Sequence, residues 1–465
     1  MFNSPLFNQC FSTLGVSLAM LSGSQVMTFC YVLLPQLNAV SHLNDEQASW
    51  IASINGIALP IGLLVTTPIM NKYGRKPTNI IRAILITAAW SCLSLTTDYY
   101  VILFCRFLQG ICLGCAAILV PVLLGEYASP KYRGACLTTI AISISLGVLS
   151  IHTLSFLTWH YISIICAAIS LLNIIIAIFS PESPSFLAKK GKYDECRRIF
   201  NWLRYPNEVQ ELEKMIQIQM SAVNRKKKES FKKIVRDFFN MWKKKEVYKP
   251  LFLMFHLHII NEWCAANVHD AFTTYIYKRV IGDIEISLLI STDILRALSA
   301  VCAFIIVRKL KRRLMLLLTV LLNIISLLIL SIYVYLKMNS LLSFDHPYIG
   351  VFLIHFYVFS FSSGCLVLPN ILSGEIFPLQ YREICQIIAQ LFFSINLIIN
   401  MKTALQMFNV LELYGSLLVY AGLVAYGLLI SLIILPETKD KTLQDIEEEF
   451  KGLRDRELSN LLIDK

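Results

Sequence analysis

Apolar residues in this chain fall into a succession of runs roughly 18 to 25 residues long, separated by shorter polar stretches. That is the length a helix needs to cross about 30 Å of hydrocarbon. Twelve such spans are predicted, near residues 11–34, 50–70, 79–95, 99–124, 135–157, 159–179, 249–277, 284–307, 314–336, 348–372, 383–408 and 414–435. The first is expected to stay in place rather than be cleaved as a signal, because no basic residue precedes it and the first Lys or Arg is Lys72. The pattern predicts an all-α integral membrane protein.

One long polar stretch divides six spans from six. The expected organisation is a six-helix bundle over 1–180, a linker with short helices over 181–248, a second bundle over 249–436 and a tail over 437–465. Within the linker, Ser183 with Pro184 reads as a helix start. Lys190-Gly191 reads as a stop, followed by a helix with apolar Ile199, Phe200 and Leu203, and VNRKKKESFKK reads as an exposed basic run beside anionic lipid. In the tail, Thr442 and Asp445 have capping-box spacing.

Three signatures occur in the same order in each half. They are a basic turn (YGRKP at Tyr73, LKRRL at Leu310), a Gly-Glu segment (GEYASPKYRGAC at Gly125, GEIFPLQYREIC at Gly374) and a closing Pro-Glu-Ser or Pro-Glu-Thr (PESPSF at Pro181, PETKDK at Pro436). The last marks where the sixth helix of each copy leaves the membrane. Parallel six-span repeats about an axis along the membrane normal describe the major facilitator architecture, with a substrate site between the halves.

Composition sharpens this picture. Of 465 residues 56% are hydrophobic and 16% charged, with a mean hydropathy of +0.61, against about 25% charged in a soluble domain. The formal charge of +11 is concentrated in 72–82, 131–133, 189–249, 308–313 and the tail, while the alternate loops are poor in Lys and Arg. That alternation places both termini and the linker in the cytoplasm and argues against nucleic acid as a partner. Thirteen cysteines without metal-ligand spacing read as small packing residues. No P-loop, catalytic triad, metal motif or cofactor signature stands out, so an enzyme is not expected.

YGRKP, RFLQGICLGC, VPVLLGEYASPKYRG, PESP, GEIFPLQYR and LPETKDKTLQDIEE together resemble the sugar porter family of the major facilitator superfamily over essentially the whole chain. LPNILSGEIFP and the Lys402-Thr403 pair are most similar to the insect facilitated trehalose transporters within it. The resemblance implies alternating access without ATP, with trehalose or a glucose-like sugar as cargo. It also implies an inner gate in which Arg75, Arg133, Arg312 and Arg382 lie opposite Glu126, Glu182 and Glu375. Exposed charge pairs are worth about 0–1 kcal/mol each, which suits a gate that breaks in every cycle.

Where the family places two glutamines and an asparagine in the seventh span, this chain has Asn261, Glu262 and Asn267. Asn370 and Ser394 stand near positions of family tryptophans, and Ala141 stands where the fifth span has a glutamine. Arg308 takes an acidic position, Lys311 a glycine position, and Ser185 follows PESP in place of an Arg. By the resemblance, Asn261, Glu262, Asn267, Arg296, Asn370 and Ser394 line the substrate site. An ionised carboxylate only accepts hydrogen bonds, so Glu262 departs from ordinary hexose chemistry. Ionisable groups at membrane depth mark a pathway or pair with each other. Glu262 is therefore expected to pair with Arg296, the alternatives being Arg296 with Asp293 or with a charged substrate. His256, His258, His269 and Asp270 add polarity to the seventh span without demanding a proton relay.

Family symporters set an acidic residue of the first span beside the arginine of the fourth. Arg106 is present, but MLSGSQVMTFCYV has no Asp or Glu, which favours a uniporter, with Asp270 and Glu262 left as the residues that could still carry a proton. A charged or less sugar-like cargo on the same fold, or a sensor that does not transport, stand as the other readings.

Overall fold

Backbone amides in hydrocarbon find no water, so each span must satisfy its hydrogen bonds within itself, and helix is the form that does so. In a computed structural model that describes residues 4–204, 212–213, 216, 240–282, 286–342, 346–378, 381–439, 441 and 443–451, the predicted spans are helical. The chain forms two compact units, 1–43 with 54–234 and 44–53 with 235–465.

The first unit contains α1 (Pro5–Thr28), α2 (Cys30–Ser41), most of α3 (Asp45–Tyr73), α4 (Arg75–Leu93), α5 (Tyr99–Tyr127), α6 (Pro130–Thr153), α7 (Trp159–Phe179), α8 (Pro184–Lys189) and α9 (Tyr193–Leu203). Its faces invert the soluble rule. Ile164, Leu171, Ile175 and Ile178 of α7 are exposed, while Ser163, Ser170 and Asn173 of the same helix are buried. With lipid outside, small and polar residues hold the helices together. Ser17 meets Thr139 at 2.8 Å, Gln25 donates to Ser150 at 2.9 Å and Asn173 donates to the Gly15 carbonyl at 2.9 Å. The RFLQGICLGC motif acts the same way. Gly110 and Gly114 lie against the α3 backbone at Asn55 and Leu59, where a Cβ would collide with carbonyl oxygens.

The helix start, stop and second helix expected early in the linker are present. The Ser183 hydroxyl accepts from the Phe186 N–H, Pro184 opens α8, Gly191 has φ +77° beyond its end, and Phe200 and Leu203 of α9 are buried. The basic run and Thr442 lie outside the described residues.

The second unit contains the start of α3, α10 (Lys245–Trp263), α11 (Ala266–Ala271), α12 (Thr273–Val280), α13 (Ile286–Lys309), α14 (Arg312–Met338), α15 (Pro347–Ser360), a π-helical turn (Phe361–Cys365), α16 (Leu368–Glu375), α17 (Arg382–Ile434) and α18 (Leu443–Lys451). Three spans differ from simple rods. The seventh is broken twice, at Ala265, which is left-handed at φ 65°, and at Phe272. The tenth changes to π geometry between α15 and α16. The eleventh and twelfth form α17, turned at the non-helical Glu412 so that the Tyr420 hydroxyl reaches Asn400 at 2.9 Å. Lys402 stands over the Trp50 ring at 3.9 Å, and Ser49 donates to its carbonyl.

Among the described residues eight helices are long and apolar enough to cross a membrane, the turned α17 holding two of the predicted spans. The others fall short for visible reasons. Arg75, Lys76 and Arg82 charge the third, the described apolar part of the fifth is the short stretch Thr139–Thr153, and the seventh is broken.

Candidate functional site

Two clusters occupy equivalent turns of the two units. In the first, the Arg75 guanidinium lies 3.2 Å from the Glu126 carboxylate. Glu182 does not face that guanidinium side by side. Its carboxylate accepts from the backbone N–H groups of Arg75 (2.9 Å), Lys76 (3.2 Å) and Ser183 (2.8 Å), capping the exposed donors at the start of α4. This contact requires Gly74. With φ 115° and ψ 171°, it sits where a Cβ would run into the Glu182 carboxylate.

In the second unit Arg312 lies 3.0 Å from Glu375, and Glu437 accepts from the N–H groups of Arg312 (2.8 Å) and Arg313 (3.3 Å) at the start of α14. Glu437 is thus the counterpart of Glu182. It was absent from the candidate residues although the repeated Pro-Glu signature pointed to it. The copies differ in detail. Thr438 donates to Glu375 at 2.6 Å, whereas Ser183 caps α8. Lys311 replaces the glycine with an ordinary extended backbone, φ −66° and ψ 143°. Arg382 donates to the Gly374 carbonyl at 2.9 Å and meets no acidic side chain among the described residues. Arg133 lies in the first turn of α6 and Arg308 near the end of α13, but their side chains lie outside the described residues.

The two caps respond oppositely to their surroundings. Burial pushes the Glu182 carboxyl up, and its three backbone donors and Arg75 recover only part of the shift. Burial also pulls Glu437 upward, but the N–H groups of Lys439, Arg312 and Arg313, with the Arg312 charge, outweigh it and hold it below the usual value. As pH falls, Glu182 therefore takes its proton first. The stability contributed by ionised Glu437 is present above its unfolded value and lost as pH falls through the depressed one. Protonating Glu182 carries the opposite sign, because its ionised form is the costlier one when buried. Amide exchange at stepped pH is expected to show Arg75 and Lys76 losing protection at a higher pH than Arg312 and Arg313. The reverse order would overturn the assignment.

The central candidates lie around the broken seventh span. Ala265 accepts from the Tyr357 hydroxyl at 2.9 Å, and the Asn261 amide donates to the Cys365 carbonyl of the π-helical turn at 3.3 Å. Asn267, just past the break, donates to both Glu262 oxygens at 2.9 Å. Asn400 donates to the Glu262 carbonyl at 2.7 Å. The expected Glu262–Arg296 pair does not form. Arg296 instead grips Asp270, Nη1 lying 2.6 and 2.8 Å from the two carboxylate oxygens. The left-handed Ala265 breaks the helical phase between Glu262 and Asp270, so that Glu262 meets Asn267 and Asp270 meets α13. His269, beside Asp270 at 3.4 Å, packs against Tyr277, Tyr357 and Phe361.

Of the remaining candidates, Ser394 is fully buried on α17. Asn370 is exposed on α16 and donates to the Leu366 carbonyl of the preceding turn. Arg106 is buried and donates to the Val26 carbonyl at 2.6 Å and to Cys30 Sγ at 2.9 Å. The sequence offers Asp270 as a polar residue of the seventh span and, with Glu262, as a residue that could carry a proton. Nothing in the spacing revealed it as a partner of Arg296, because the pairing depends on the break.

These features can be set beside known proteins. The profile of the family described as sugar (and other) transporters matches residues 13–450. Over 457 residues the chain is 26% identical to the facilitated trehalose transporter Tret1 of Apis mellifera ligustica, covering 96% of this chain and 88% of that one. It is 23% identical to Tret1 of Bombyx mori over 88% of this chain and 80% of the relative. Among solved structures, the proton:xylose symporter XylE bound to 6-bromo-6-deoxy-D-glucose superposes with a TM-score of 0.76 at 18% identity, over 96% of this chain and all of that one. The inward-open xylose transporter XylE from E. coli gives 0.74 at 17%, over 96% and 99%. At such identities the structural likeness speaks for the major facilitator fold. The profile match over nearly the whole length places this chain in the sugar (and other) transporter family.

Proposed function

We propose that the chain is a facilitative transporter of a sugar, trehalose or glucose-like, that works by alternating access across the cell membrane and is driven by the substrate gradient. The observation that carries this reading is the repeated cluster: Arg75–Glu126 with Glu182, and Arg312–Glu375 with Glu437, each at the same turn of its unit. In this reading the clusters, with Arg133 and Arg382, form the inner gate. Both termini and the linker face the cytoplasm, and the bundles run over 1–180 and 249–436. Asn261, Asn267, Asn370, Ser394 and Glu262 belong to the substrate site, while Arg296 serves to hold Asp270. The first span contains no Asp or Glu, which supports uniport.

One contact favours a second reading, a charged or less sugar-like cargo. The Asn267 amide, expected to meet sugar hydroxyls, is held by the Glu262 carboxylate. Uptake of labelled trehalose and glucose by oocytes, at two external pH values, separates the two. The expected result is saturable, pH-independent uptake that Glu262→Gln leaves intact or improves. No saturable uptake, with the protein confirmed at the surface, would overturn the sugar reading. Transport of a cationic solute that Glu262→Gln abolishes would replace it.

A further inference from the structure

The second unit has a cavity of about 720 Å³ at the end that carries PETK, far along the helices from the broken seventh span. Its walls come from the start of α10, the start of α14, the end of α17 and the tail helix α18. One side is open and apolar, with Phe252 51% and Ile433 73% exposed where the helices meet hydrocarbon. Two cations, Lys249 and Arg313, lie in the same lining. Among the described residues the Lys249 side chain makes no hydrogen bond or ion pair. The Arg313 guanidinium spends one N–H on the Leu432 carbonyl, at 2.7 Å, and among the described residues has no carboxylate within ion-pair distance, Glu437 meeting only its backbone N–H. The single acid of the lining, Glu449, is turned to Lys441 at 2.5 Å, so its charge is already balanced.

An apolar wall open to the bilayer beside two uncompensated cations fits an amphiphile with an anionic head. A soluble anion would leave the wall unused, and a zwitterionic head would gain little from the cations. We propose that this groove binds one anionic phospholipid, with its phosphate held by Lys249 and Arg313 and an acyl chain along Phe252 and Ile433. Basic pockets between helices at the membrane surface recognise lipid phosphates in this way. Phe450 of α18 is buried against the same cavity, so the bound lipid also pins the tail helix to the bundle.

The test is native mass spectrometry of the full chain in detergent, offered dioleoyl phosphatidic acid and dioleoyl phosphatidylcholine in equal amounts. The wild type is expected to retain one phosphatidic acid in preference. At about 1 kcal/mol for each basic residue near a lipid surface, K249Q should weaken that retention about fivefold and K249Q/R313Q roughly thirtyfold. Both side chains line an open cavity, and a thermal melt of each variant checks that the fold is kept. Unchanged preference in both variants overturns the proposal. So does equal retention of the neutral lipid by the wild type, which would make the groove a simple apolar crevice. Displacement of the lipid by millimolar inorganic phosphate, as readily as by a short-chain phosphatidic acid, would reassign the site to free phosphate.

Discussion

Asp270→Asn is expected to destabilise the protein by about 3–5 kcal/mol, the cost of breaking a buried ion pair by removing the carboxylate that Arg296 contacts directly. The Arg296 and Asp270 side chains are 8% and 4% exposed, so little water is at hand to take over the lost charge. The pair joins α11, the short helix between the two breaks of the seventh span, to α13, with Tyr357 holding the Ala265 carbonyl at one end. Replacing both residues with apolar ones of similar size, Asp270→Leu with Arg296→Met, should recover most of the loss, since a buried pair is often no better than good packing. Thermal melts of the two single variants and the double variant measure this as a cycle. Transport adds an independent readout. A staple that holds the segment in place alters the maximal rate and leaves KM alone, in both single and double variants. A raised KM that persists in the double variant would instead make Arg296 a substrate contact.

The second large effect is expected at Gly74. Its backbone is in a region open essentially to glycine, where another residue costs about 1–3 kcal/mol. A Cβ there would also displace Glu182 from the start of α4, and loss of a cap costs about 0.5–2 kcal/mol more. Gly74→Ala should therefore cost about 1.5–5 kcal/mol and loosen the Arg75 turn. The equivalent change in the other copy, Lys311→Gly, should cost no more than about 1 kcal/mol, because Lys311 already has ordinary extended geometry. Melting temperatures of the two variants decide the matter. A larger loss at Lys311 would show that the two turns are not built as described.

Much of this architecture is legible in the sequence because hydrocarbon enforces length. The run at 159–179 became α7 residue for residue, and the repeated signatures became the paired clusters around Glu126 and Glu375. What stayed hidden depends on tertiary context. Nothing in CAAN announces a left-handed alanine, since neither glycine nor proline stands at the break. Without the break, Glu262 and Asp293 were the natural partners for Arg296, and Asp270 was out of phase. Glu437 is hidden for a different reason. Its signature reads as a boundary mark, and the cap it provides becomes visible only once Glu182 is seen to accept from the start of α4. Arg382 was expected to meet a carboxylate and instead holds a carbonyl, a choice that composition does not encode.

The turn at Glu412 has a practical side. One non-helical residue reverses α17, and the helix resumes at once, with Ser416 donating back to the Glu412 carbonyl at 2.8 Å. A protease needs several residues of extended chain to seat a peptide bond, and an inserted epitope needs slack at both ends. This reversal offers neither. Engineers seeking to tag or nick the protein on that side will therefore have to go elsewhere, and an antibody raised against the peptide around Glu412 should recognise only the unfolded chain.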